Sequence, residues 1–133
     1  MSTQNTTLEE TAAARWRRRI TEFFTISDQW DFDSFGDYLD PQIQFRFANN
    51  PAVDNLATMV SFAATHKSSI KSVEHTLLSF HTDVEQRTVA VELSVRYVRP
   101  DDTVAQYPAI VVLEFGDDLI KEYRVYVDLT GLT

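Results

Sequence analysis

The last third of the chain constrains the fold most strongly. From residue 89 onward, three largely apolar segments of strand length are separated by two short clusters of turn residues. In the first segment polar and apolar residues alternate, so one face carries Val89, Val91, Leu93, Val95 and Tyr97. This pattern predicts a three-stranded antiparallel meander against which the rest of the chain packs, with strands at Val89–Arg99, Val104–Phe115 and Leu119–Leu129.

The residues before the meander predict three helices and two further strands. Thr7 and Glu10 have capping-box spacing ahead of a helix from about Leu8 to Ile26. Its apolar face consists of Ala12, Trp16, Ile20, Phe23 and Phe24.

A second helix begins after Asp31 and ends at Pro41, and a short alternating strand covers Ile43 to Phe47. Asp54 caps a third helix that ends by Lys67, and a strand follows from Ile70 to Phe80. The element order α-α-β-α-β-β-β-β predicts an α+β domain in which helices cover a mostly antiparallel sheet.

Length and composition limit the classes of protein. The 133 residues fit a single domain over 1–133, with residues 1–7 expected to be a mobile tail. Without cysteine there is no thiolate metal site or disulfide, and we expect a cytoplasmic location. The net charge of −8 disfavours nucleic acid and anionic membranes as partners. Four arginines, at 15 and 17–19, are interpreted as a solvated helix face.

Several local strings resemble the SnoaL-like and limonene epoxide hydrolase branch of the NTF2-like superfamily. They are Tyr38-Leu39-Asp40-Pro41, Phe45-Arg46-Phe47, Asn50-Pro51-Ala52, Val73-Glu74-His75 and the closing segment Ile120–Leu129. The resemblance implies a cone: a curved, mostly antiparallel sheet wrapped by three N-terminal helices around a ligand cavity. It also implies dimers through the outer face of the sheet.

The same resemblance argues against epoxide hydrolysis. Family hydrolases activate water with an Arg-x-Asp pair and a further Asp, and these positions fall on Glu92, Ser94 and Val125. The family's water-positioning Tyr and Asn fall on Gln44 and Arg46, and the base of ketosteroid isomerases also falls on Arg46. The hydrolase triad is therefore missing from this chain.

The family register turns Glu92, Ser94 and Arg96 towards the cavity, with Gln44 and Arg46 beside them. The apolar row that begins at Val89 would then face outward, and such a patch is unusual for a monomer. We therefore predict a homodimer through that face.

Three residues are predicted to be catalytic. Glu92, with its pKa raised by an apolar pocket, would move a proton, and Arg46 would stabilise a developing oxyanion. His75 would shuttle protons, because histidine changes its charge near neutral pH. The structural alternatives are an ion pair of Glu92 with Arg46 or another cavity cation, an outward Arg46, and a His75 that is simply hydrogen-bonded in place.

The remaining site residues are predicted to bind substrate, and core packing is the alternative for the aromatic ones. They are Gln44, Ser94, Tyr107, Tyr123, Tyr38, Trp30 and Phe35. They suit a flat, apolar or polycyclic ligand. The histidine spacing does not support a metal site, and no cofactor is expected.

The predicted function is a cofactor-independent isomerase, cyclase or dehydratase (a lyase) that acts on an apolar, oxygenated small molecule, such as a biosynthetic intermediate. Two alternatives remain. One is a non-catalytic module of the same superfamily that binds a small molecule or a protein. The other is a structural dimer whose cavity is filled by its own side chains.

Overall fold

The computed structural model describes residues 10–128 and 130. Its elements are helix α1 (Ala12–Asp28), a 3₁₀ helix (Phe32–Asp37), strand β1 (Leu39–Phe47), helix α2 (Leu56–Ser69) and strands β2 (Ser72–Asp83), β3 (Thr88–Val98), β4 (Val104–Phe115) and β5 (Ile120–Tyr126). The predicted order and the α+β class are confirmed. The second predicted helix is a 3₁₀ helix rather than an α-helix.

The five strands form one mixed sheet in the order β1-β5-β4-β3-β2. Only β1 and β5 are parallel, and the other pairs are antiparallel. The ladder is irregular between Leu39 and Gln44 in β1 and between Leu77 and Ser79 in β2. Such irregularities bend a strand and increase its twist, which curves the sheet around its inner face.

The helices pack on the inner face as their apolar patterns predict. Trp16, Ile20, Phe23 and Phe24 of α1 are all buried, and Trp16 stacks on Phe115 with ring centroids 5.2 Å apart. α2 contributes Met59, which is also buried. No described helix combines the length and the hydropathy that a membrane-spanning segment needs.

The ends of several elements differ from the predicted ones. α1 is capped by Thr11, whose hydroxyl accepts the N–H of Ala14 at 3.1 Å. The predicted cap Thr7, the predicted tail and the predicted strand end Leu129 lie outside the described residues. α2 is capped by Asn55 rather than Asp54, because the Asn55 side chain accepts the N–H of Thr58 at 2.7 Å.

The 3₁₀ helix and the start of β1 also depart from the prediction. Asp31 makes no side-chain bond to the main chain of the helix and instead accepts the hydroxyl of Ser34 at 2.7 Å. Pro41 lies within β1 and does not end the preceding helix. The chain therefore enters the sheet at Leu39, which is completely buried.

The arginines of α1 attach the helix to its surroundings. Arg15 forms an ion pair with Asp118 at 2.7 Å, and Arg19 donates to the main-chain oxygen of the same residue at 2.6 Å. Arg18 pairs with Glu10 at 2.9 Å. Three of the four arginines therefore bind acidic residues or main-chain oxygens, and two of them hold the helix against the β4–β5 turn.

The predicted orientation of β3 is wrong. Val89, Val91 and Leu93 are at most 2% exposed and pack beneath the helices, whereas Glu92 and Arg96 are exposed on the outer face. Ala109 and Tyr107 of β4 lie opposite Leu93 and Val95 of β3. Directly opposite residues project from the same face of a sheet. The prediction that Tyr107 faces inward therefore required Val95 to face inward as well, which is incompatible with the predicted outward orientation of Val95.

Candidate active site

A cavity of about 120 Å³ lies between the inner face of the sheet and the helices. Most of its wall is aromatic or aliphatic, and no described Asp, Glu, Lys or Arg lines it. The side chains with polar atoms are Ser27, Trp30, His66, His75, Tyr97 and Tyr123. Within residues 10–128 and 130, no three histidine or acidic side chains converge as metal ligands would. The described wall therefore offers only a few polar groups for chemistry.

His75 lines the cavity and is hydrogen-bonded to Asp28, which does not line it. Its ring Nδ1 lies 2.6 Å from Asp28 Oδ1, and its main-chain N–H donates to Asp28 Oδ2 at 2.8 Å. An ionised carboxylate only accepts hydrogen bonds, so Nδ1 carries a hydrogen, and in the neutral form of the ring the lone pair is on Nε2. The side chains are only 18% and 20% exposed. The pair is therefore an oriented base whose conjugate acid is stabilised by a carboxylate.

The position of Asp28 follows from the helix period. It lies four residues after Phe24 and eight after Ile20, so it continues the buried stripe of α1 to the last turn. A negative charge at a helix C-terminus is unfavourable with the helix dipole, and the two bonds to His75 offset that cost. The Phe24 ring packs 4.8 Å from the His75 ring and holds it in place.

Two tyrosines add hydrogen-bond donors to the cavity wall. Burial, with a smaller contribution from Tyr107, raises the pKa of Tyr97 to about 12. Burial also raises the pKa of Tyr123, and the negative charge of Asp28 adds to that shift. Among the described residues no hydrogen bond involves either hydroxyl. Both phenols therefore remain protonated at neutral pH and can donate to a ligand oxygen.

Comparison with known families decides the identity of the domain. Residues 20–123 match the model of the SnoaL-like domain. The chain belongs to the SnoaL-like family. No curated protein matches its sequence significantly.

Solved structures share the fold of this SnoaL-like domain at low sequence identity. A protein described as a SnoaL-like polyketide cyclase from Jannaschia sp. CCS1 is 17% identical, with a TM-score of 0.76 over 89% of this chain and 88% of that one. An LEH-like epoxide hydrolase from M. tuberculosis is 16% identical, with a TM-score of 0.74 over 87% and 84%.

A third structure is that of SalBIII, an epoxide hydrolase/cyclase-like enzyme with a role in pyran ring formation in the polyether salinomycin. It is 15% identical, with a TM-score of 0.75 over 86% of this chain and 91% of that one. At such identities the likeness establishes the shared NTF2-like fold and not the reaction.

Four of the residues predicted for the SnoaL-like site line the cavity: His75, Trp30, Phe35 and Tyr123. Tyr38 and Tyr107 are partly buried outside the lining. Tyr38 lies 6.2 Å from the Phe23 ring and beneath the Arg19 guanidinium at 4.9 Å. Tyr107 lies 6.4 Å from the Tyr97 ring. These two side chains support the cavity wall rather than form it.

Glu92, the predicted base, lies on the outer face of the sheet, and its placement was predicted wrongly. Ser79 Oγ donates to Glu92 Oε2 at 2.7 Å, and His81 Nε2 lies 2.7 Å from the same oxygen. These two bonds, with Ser79 first, lower the pKa of Glu92, which is the opposite of the predicted shift. The side chain is 54% exposed, so it has no apolar pocket to raise its pKa.

Arg46, Gln44 and Ser94 are also outside the cavity, contrary to prediction. Arg46 and Gln44 alternate with the buried Ile43 and Phe45 along β1 and are exposed. Ser94 is half-buried and accepts a hydrogen bond from Gln106 at 2.8 Å. The prediction therefore assigned the wrong face on both β1 and β3, as a displacement of the register by one residue would do.

Asp28, Tyr97 and the role of His66 in the cavity wall were not predicted from the sequence. A signal for Asp28 was present, because an acidic residue continues an apolar stripe at the end of the helix where it is least favourable. His66 lies between Phe47 and Phe62, with ring centroids 5.3 and 5.1 Å away. Burial lowers its pKa and keeps the ring neutral.

Proposed function

We propose that this SnoaL-like domain is a cofactor-independent acid/base enzyme that isomerises, cyclises or dehydrates an apolar, oxygenated small molecule, such as a biosynthetic intermediate. The observation that carries the proposal is the His75–Asp28 pair on the wall of an otherwise apolar cavity. An oriented imidazole is suited to proton transfer near neutral pH.

The reaction begins when His75 Nε2 removes a proton from a carbon next to a carbonyl group. The electrons of the broken C–H bond form a carbon–carbon double bond, and the π electrons of the carbonyl group move to its oxygen. A tyrosine hydroxyl, from Tyr97 or Tyr123, donates a hydrogen bond to the enolate. Asp28 stabilises the imidazolium that forms. Return of the proton to another carbon gives an isomer, and its transfer to a departing hydroxyl gives water and an alkene. Attack of the enolate carbon on a second carbonyl group forms a C–C bond and closes a ring, and the imidazolium of His75 then protonates the alkoxide that results.

The size of the cavity suggests the size of the group that reacts. An apolar cavity of roughly 150 Å³ accommodates one benzene molecule. The cavity described here, at about 120 Å³, therefore suits one ring or the ring-sized end of a longer molecule. The flat aromatic walls favour a planar group.

The predicted homodimer cannot form through the apolar row that begins at Val89, because that row is buried, but other apolar residues on the outer face of the sheet support a dimer. Leu78, Ile110 and Tyr126 are 65%, 44% and 56% exposed and line one groove there. Ile110 and Tyr126 lie opposite each other in the β4–β5 ladder. We propose that a second copy covers this apolar groove, and we retain the cytoplasm as the expected compartment because the chain has no cysteine.

The proposed proton transfer can be tested with 2-tetralone, a ketone with acidic protons next to its carbonyl. In D₂O the exchange of these protons is followed by NMR with the wild-type chain and with His75→Gln. We expect the variant to lose about 100-fold or more of the catalysed exchange rate. Equal rates in the two proteins would contradict the proposal. Wild-type binding of 2-tetralone without catalysed exchange would favour a non-catalytic binding module instead.

A further inference from the structure

Two arginines lie side by side on the outer face of the sheet. Arg46 of β1 and Arg124 of β5 are direct partners in the parallel ladder. Adjacent strands are about 4.8 Å apart, and partners of this kind project from the same face. Like charges placed opposite each other destabilise a sheet unless a negative charge compensates them.

The compensation within the chain is incomplete. Arg124 Nη1 lies 2.7 Å from Glu122 Oε1, so this arginine has a carboxylate partner. Arg46 makes no hydrogen bond or ion pair with any described residue. An uncompensated guanidinium therefore lies beside a second one, in a chain whose net charge is −8.

The two guanidinium groups line a surface pocket of about 240 Å³ together with Asn49 and Tyr126. All four polar side chains can donate hydrogen bonds, and no carboxylate of the described residues lines the pocket. Ala48 places Asn49 at this position, because its left-handed conformation (φ 51°) turns the chain and its N–H donates to the Val125 oxygen at 2.9 Å. A convergent set of donors of this kind recognises an oxyanion.

We propose that Arg46, Arg124 and Asn49 form a binding site for a compact oxyanion, namely a phosphate or carboxylate group. The anion lies between the two guanidinium groups and neutralises the charge of Arg46. Val125 and Val127 line both this pocket and the central cavity, so the site lies behind the cavity wall. It does not depend on the proton transfer proposed for His75.

The test is a titration of the full chain with inorganic phosphate and, separately, with acetate, at constant ionic strength. Binding is followed by the NMR signals of the arginine side chains. We expect Arg46→Gln and Arg124→Gln each to weaken binding by about tenfold. Glu122→Gln should strengthen binding, because it removes the carboxylate that competes for Arg124. Preference for phosphate over acetate, or the reverse, identifies which oxyanion the site accepts.

The matched control is Arg96→Gln. Arg96 is an exposed arginine on the outer face of β3 that also lacks an ion pair among the described residues. Its loss should leave both titrations unchanged. Failure of both anions to bind, or an equal loss in all three arginine variants, would overturn the proposal. So would a fall in the dimer fraction of Arg46→Gln, measured by sedimentation, without any anion binding, because the counter-charge would then belong to a second copy.

Discussion

Asp28 holds His75 at two points, through the ring at 2.6 Å and through the main chain at 2.8 Å, although the two residues are 47 positions apart. The contact joins the end of α1 to the middle of β2. It orients the only imidazole in the described chain that has a carboxylate partner and also lines the cavity. The arrangement leaves Nε2 as the available base.

Asp28→Asn should slow catalysed exchange into 2-tetralone by roughly 100-fold while the chain stays folded. The amide oxygen can still accept a hydrogen bond from the main-chain N–H of His75. A neutral amide does not stabilise the imidazolium by charge, and because it can also donate a hydrogen bond, it does not fix the hydrogen of the ring on Nδ1. The tautomer of His75 can be read from its ¹⁵N shifts. Asp33→Asn, in the exposed part of the 3₁₀ helix, is the control. An unchanged rate in Asp28→Asn would show that the carboxylate has no part in the reaction.

The orientation of β3 can be tested by stability alone. Leu93→Ala should lower the free energy of unfolding by about 2–5 kcal/mol, because Leu93 is 2% exposed and its loss leaves a larger cavity. Ser94→Ala, one residue along the strand, should change it by less than about 1 kcal/mol. Urea unfolding measures both. If Ser94→Ala destabilised the protein more than Leu93→Ala, the face of β3 that carries Ser94 would be the buried one, and the orientation described here would be contradicted.

Filling the cavity should block the ligand without unfolding the domain. Ala63 lines the cavity, so the larger side chain in Ala63→Leu should occupy part of the cavity volume of about 120 Å³ and abolish binding of 2-tetralone. Ala64, the next residue of α2, is exposed, and Ala64→Leu should bind the ketone as the wild type does. Binding is followed by NMR line broadening of the ketone. Wild-type binding by Ala63→Leu would locate the ligand elsewhere.

His66 should make the fold sensitive to mild acid. Its pKa in the folded protein lies below 6.5, the ordinary value for histidine, because burial disfavours the charged ring. The unfolded chain therefore binds this proton more readily, and stability falls as the pH drops from 6.5 towards the folded pKa. His66→Gln should show a smaller loss between pH 7 and pH 5 in urea unfolding than the wild type. Lys67→Gln, the adjacent control, should keep the wild-type dependence, and an identical loss in His66→Gln would refute the assignment.

Local patterns predicted most of the fold. The stripe of α1 and the strand Val104–Phe115 were found from helix and strand periods, since each has one buried face. The alternation of β3 also indicated the correct core face. The error arose because short segments that resemble the family were used to assign Glu92 to the opposite face. A shift of the register by one residue is enough to reverse the direction of every side chain in a strand.

The site was less predictable than the fold because it depends on long-range contacts. His75 was selected from its strand position, but its partner Asp28 is brought to it only when α1 packs across β2. The irregularity around Leu78 in β2 could not be predicted either, because the sequence of two adjacent leucines does not indicate which of them is left unpaired with β3. Beyond it Ser79 and His81 turn outward and join Glu92 on the surface.

The most direct measurement compares His75→Gln with Glu92→Gln in the exchange of 2-tetralone protons, with circular dichroism to verify that both variants are folded. We predict a loss of about 100-fold or more for His75→Gln. Glu92→Gln should keep the wild-type rate, because its carboxylate lies on the outer face of the sheet. Full activity in His75→Gln together with loss in Glu92→Gln would contradict the cavity mechanism.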